Sequence, residues 1–128
     1  MRNPPRPRTR DRGQAAIEYL GFLPILLIVG LAGLQLGIVA YAAQQAGTAA
    51  RAAARAAGAD DEDVSANPEA AGYAAMSGWI ASRAVVDEDG GVATVSVTIP
   101  SVVPFWSFDP VQKTATMPVP QTPSEDDE

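Results

Sequence analysis

Cysteine and histidine are both missing from this chain. Without cysteine there is no disulfide framework and no thiolate nucleophile. Without histidine the commonest general base and the commonest metal ligand are gone. There is no phosphate-cradling loop and no convincing acid–base pair. The chain therefore reads as a non-enzyme that carries no cofactor and no metal. Its densest acidic cluster is Asp60-Asp61-Glu62-Asp63. A calcium loop of the EF-hand kind needs glycine at its sixth position and ligands on alternate residues. Here Ser65 stands at that place and the spacing is wrong, so the cluster reads as a solvated linker.

Basic residues are few and unevenly placed. The net charge of −6 divides into +4 over residues 1–12, +1 over residues 13–58 and −11 over residues 59–128, where only Arg83 and Lys113 offset thirteen acids. Cytoplasmic flanks of membrane helices are enriched in Lys and Arg. The basic end is therefore expected inside and the acidic part outside. Direct nucleic-acid binding is disfavoured: the outer part repels phosphate, and the arginine-rich lead has no interleaved aromatic residues.

What the chain has in quantity is one long apolar run. From Tyr19 to Ala43, 25 residues, the only polar side chain besides Tyr19 and Tyr41 is Gln35. About 20 apolar residues suffice to cross roughly 30 Å of hydrocarbon as a helix. A secretory signal has a far shorter apolar stretch, roughly 7–15 residues, so the small-residue pattern Ala40-Tyr41-Ala42 does not make this run a cleaved signal. Pro24 lacks an N–H and is expected to bend or loosen one turn. Gly30, Gly33, Gly37 and Ala40 share one helix face, and Gly33 to Gly37 forms a small-xxx-small step that lets two helix backbones approach closely. Gln35 could add an interhelical hydrogen bond. Beyond the run, Gln44, Thr48, Arg51 and Arg55 form a polar stripe among alanines, the best helix formers. The helix is expected from Ala15 to Ala57, about 65 Å at 1.5 Å per residue, with Gly58 as its end.

The outer residues predict a small α+β module. Asn67-Pro68-Glu69 is a helix start: a cap, a proline pre-set at the first helical position and an acid at the positive end. This second helix is expected to reach Ser82, with Tyr73, Met76 and Ile80 on one face and Trp79 beside them as core. Ala84-Val85-Val86 reads as a strand entering a turn at Asp87-Glu88-Asp89-Gly90-Gly91. Ala93, Val95, Val97 and Ile99 alternate with Thr94, Ser96 and Thr98, a half-buried strand. Val111, Lys113, Ala115 and Met117 alternate with Gln112, Thr114 and Thr116, a last strand ended by Pro118 and Pro120. Between the strands, Val102, Val103, Phe105, Trp106 and Phe108 make an apolar connection that either caps the sheet or stands exposed for a partner.

Ahead of the run lies Arg12-Gly13-Gln14-Ala15-Ala16-Ile17-Glu18-Tyr19. Glycine, four residues, then Glu-Tyr and a long apolar segment resembles the type IV prepilin processing site in its Flp form. With the Ala/Arg-rich helix extension, the second helix, the Val/Thr strands and the closing Thr-Ala-Thr-Met-Pro-Val, the layout resembles the TadE-like family of pilus-assembly proteins over most of residues 11–120. The resemblance implies a minor pilin or pseudopilin of the tight-adherence (Flp) system. It implies cutting by a prepilin peptidase between Gly13 and Gln14, on the cytoplasmic side. It gives Glu18, beside Tyr19, a role in subunit assembly, the carboxylate neutralising the freed amine of a neighbouring subunit.

The expected architecture is α+β. A basic leader, residues 1–13, precedes a transmembrane helix and its extension, 14–58. An outer module, 59–120, carries a second helix and an antiparallel sheet of about three strands, and 121–128 form a disordered acidic tail. The protein is expected to be single-pass in the cell membrane, N-terminus inside, with membrane lipid, other pilin-like subunits and the assembly machinery as partners. Gly33 and Gly37 are the helix-packing residues. Two further readings come from other classes: a membrane-anchored binding module (an adhesin or uptake pseudopilin), and a generic anchored protein that is never processed.

Overall fold

A computed structural model describes residues 2–5, 10–59 and 67–118. The acidic linker Asp60–Asp63 and the tail 121–128 lie outside the described residues. The chain runs α1 (Arg10–Ala57), α2 (Pro68–Ala74), α3 (Gly78–Ala81), β1 (Ala84–Asp89), β2 (Val92–Val97) and β3 (Val111–Thr116). The α+β expectation holds: a long apolar helix, short helices and a three-stranded antiparallel sheet in the order β1-β2-β3.

Helix α1 has 48 residues, or about 72 Å at 1.5 Å per residue. It passes through Pro24 as one element. It begins five residues earlier than the sequence suggests, because Gly13 is the only strong helix breaker between Arg10 and Gln14. Its end is as expected, with the Gly58 N–H donating to Ala54 O at 3.0 Å.

The core is built on alanine. Ala42, Ala46, Ala49, Ala50, Ala53 and Ala54 of α1 are buried against Met76, Ile80, Val86, Ala93, Val95, Val97 and Ile99. The alanines recur at helical spacing, and their short side chains let the helix lie close to the sheet. On the sheet side, Val95 stands opposite Val86 in β1 and Lys113 in β3. The alternation in β2 is thus as read from sequence: Ala93, Val95 and Val97 are buried, Thr94 and Ser96 half-exposed. The polar stripe Gln44, Thr48, Arg51 and Arg55 is exposed as expected.

Two elements differ from expectation. The second helix is two short helices, α2 and α3, broken at Met76-Ser77. The cap at its start is as read, with Asn67 Oδ1 accepting from the Ala70 N–H at 3.1 Å. The break has a tertiary cause: the Ser77 N–H donates to the Gln45 side-chain oxygen of α1 at 3.0 Å instead of continuing a helix. Met76 and Ile80 are buried, but Tyr73 and Trp79 are partly exposed. The Tyr73 hydroxyl donates to Ala84 O and accepts from the Val86 N–H along the free edge of β1, and Trp79 stacks on Tyr41 at 5.8 Å. The second difference is the hairpin. Asp87 to Asp89 belong to β1 rather than to the turn. The turn is Gly90-Gly91 alone, both at positive φ (59° and 85°), the conformation a two-residue hairpin loop requires and glycine adopts without strain.

Gly72 marks where α2 meets the core. A Cβ there would stand 2.8 Å from Val86 Cγ1 and 3.4 Å from Ala53 Cβ. The absent side chain lets α2 approach both the sheet and α1.

Candidate functional site

The candidate residues all lie on α1, and the helix has two different sides. One side faces the module. Its first buried residue is Gln35, 1% exposed. From there Ile38 and Val39 pack against the core, followed by the buried alanines. Gly33 and Gly37 stand two residues either side of Gln35, about 200° around a helix of 3.6 residues per turn. A Cβ at Gly30, Gly33 or Gly37 would meet nothing within 4 Å. The small-residue face therefore points away from the module and is open along its length.

Gln35 is where the structure departs most from the sequence reading. Both ends of its amide are engaged within the chain: Nε2 donates to Pro100 O at 3.2 Å, and Oε1 accepts from the Val102 N–H at 2.8 Å. It is not free for an interhelical bond. Its side chain acts as a peptide-like bridge that holds the segment after β2 against the helix. The sequence signal was present, since one amide inside 25 apolar residues needs partners. Its partners, 65 and 67 residues away, could not be read from it.

The segment held by Gln35 is the aromatic connection 102–108. It does not cap the sheet. Val103, Pro104, Phe105, Trp106 and Phe108 line a groove with Ile28, Leu31, Ala32, Gln35 and Leu36 of α1. Phe105 is fully exposed and Trp106 is 66% exposed.

Gly13, Gln14, Glu18 and Tyr19 all lie in the first turns of α1, exposed. Glu18 and Tyr19 share a shallow recess with Ala15 and Phe22 at helical spacing. Gly13 is helical in this structure, so a peptidase that reads an extended strand would first have to unwind the turn around it. From Arg12 onward α1 is long and apolar enough to cross a membrane. The large side chains from Ile17 to Val29 are exposed.

These features define a class: a helix able to span a bilayer, exposed over its first half, with a small α+β module docked on its second half. The family model described as TadE-like protein matches residues 13–55, from the glycine ahead of the apolar run to the last basic residue of the helix. Over that segment, about a third of the chain, it is similar to the TadE-like family that the sequence resemblance named. No curated protein and no solved structure matches the chain.

Proposed function

We propose that this chain is a structural, non-catalytic subunit of tight-adherence (Flp) pilus assembly, a minor pilin or pseudopilin. A prepilin peptidase cuts it between Gly13 and Gln14. The helix sits single-pass in the cell membrane with its basic N-terminal flank in the cytoplasm and the acidic module outside. The observation that carries this reading is the TadE-like match, which begins at Gly13 and covers the helix. The open Gly33/Gly37 face supports it, because that face can receive a neighbouring pilin-like helix while the module stays docked on the other side. Glu18, exposed at the start of the span, is costly in lipid when unpaired and gains a partner when it meets the freed amine of another subunit.

The test is the N-terminus of protein extracted from membranes of cells with and without a working prepilin peptidase. The expected chain begins at Gln14 when the peptidase is present and at Met1 when it is absent, and a bulky residue in place of Gly13 blocks the cut. Intact chains in both strains would overturn the proposal.

A further inference from the structure

The loop 102–108 has no assigned task in the reading above, yet it is the most exposed apolar feature of the module. We infer that it is a membrane-interface insertion: Phe105 and Trp106 enter the bilayer leaflet on the module's side, and acyl chains fill the groove between the loop and α1. This rests on the reading that α1 spans a membrane.

Three observations carry it. The first is height. The apolar run is longer than a bilayer requires, so hydrophobicity alone does not set its depth. The module does, because its acidic residues keep it in water and the helix first becomes buried against it at Gln35. With Glu18 at the other boundary, where a carboxylate costs least, the hydrocarbon lies over Tyr19 to Leu34, about 24 Å at 1.5 Å per residue. The helix side of the groove, Ile28 to Leu36, then lies at the level where hydrocarbon gives way to headgroups. The loop beside it is at the same level.

The second observation is chemistry. From Pro100 to Phe108 there is no charged residue, although the outer part of the chain is strongly acidic. Tryptophan favours the membrane–water boundary. In water, a groove lined almost wholly by apolar side chains would be an uncovered patch continuous with the apolar span.

The third is presentation. Phe105 sits at φ 66°, a region rarely occupied by bulky residues. The residue is fully exposed. The backbone is tied in place on both sides of this turn. The Gln35 amide holds Pro100 and Val102, and the Ser101 hydroxyl stands within hydrogen-bond reach of the carbonyls of Val103 and Trp106, donating its one proton between them. A strained backbone that turns an aromatic ring fully outward fits a surface that receives the ring.

The experiment uses the full chain in phosphatidylcholine vesicles. The absence of native cysteine permits clean single-site spin labels at Leu26→Cys in the span, Phe105→Cys in the loop and Gln112→Cys on the exposed sheet edge. Collision with oxygen reports lipid, and collision with a water-soluble nickel chelate reports solvent. The expected result is that the Leu26→Cys and Phe105→Cys labels favour oxygen while the Gln112→Cys label favours nickel. If the loop label matches the sheet label while the span label stays in lipid, the inference fails and the span stands. If the loop label is shielded from both reagents, protein covers the groove and the inference fails. If the span label meets nickel, the membrane reading fails and takes the inference with it. A second readout leaves Phe105 in place: in Trp79→Phe, the remaining Trp106 loses most of its emission in vesicles brominated near the headgroup end of the acyl chains. Unchanged emission overturns the inference.

Discussion

Gln35 shows how one side chain can set the relation between two parts of a chain. It is a polar residue in an apolar helix, and burial without partners would cost about 1–3 kcal/mol. Its amide instead meets one carbonyl and one N–H of the segment after β2. Gln35→Leu keeps the volume but orphans both backbone groups. The expected outcome is about 1–3 kcal/mol of local destabilisation, read as faster hydrogen exchange at the Val102 amide in detergent-solubilised protein, with the sheet amides unchanged. Equal protection at Val102 in the variant would show that the bridge does not hold the loop.

At the scale of the element, α1 divides its circumference between a buried side and an open one. The alanine side is consumed by the module, where residues such as Ala46, Ala49 and Ala53 are fully buried. The glycine side is open. Substitution on the two sides should therefore have opposite consequences. At Gly33 and Gly37 an added Cβ would meet nothing within 4 Å, so Gly33→Leu combined with Gly37→Leu has room on the open side. It should leave the module's thermal unfolding in micelles unchanged while lowering the yield of crosslinks between neighbouring pilin-like helices in membranes. Unchanged crosslinking would remove the packing role from this face.

At the scale of the whole molecule, the charges and the docking point together describe an oriented rod. Its basic lead, its exposed apolar half and its acidic module follow one another along a helix of about 72 Å. Glu18 sits at the far end from the module, so its loss should spare folding. Glu18→Gln is expected to be cut normally and to retain a folded module, but to enter filaments poorly. The comparison to make is of mature protein in membranes against protein in sheared filaments. Normal incorporation would remove the pairing role from Glu18.

Local chemistry was sufficient for several elements. The apolar run and its alanine extension specify one long helix by propensity and period. The Asn67-Pro68-Glu69 start and the alternation in β2 are short-range patterns, and each appears where the residues place it; β3 forms as expected, but of its expected inward set only Val111 and Ala115 are half-buried, Lys113 is exposed and Met117 falls beyond the strand. Pairs far apart in sequence decided the rest. The break at Ser77 depends on Gln45, the extension of β1 to Asp89 depends on its register with β2, and the loop's position depends on Gln35. An extended backbone group or a lone amide can be satisfied in several ways. Only the packed chain, which brings residues 35 and 102 together, selects which hydrogen bond is made.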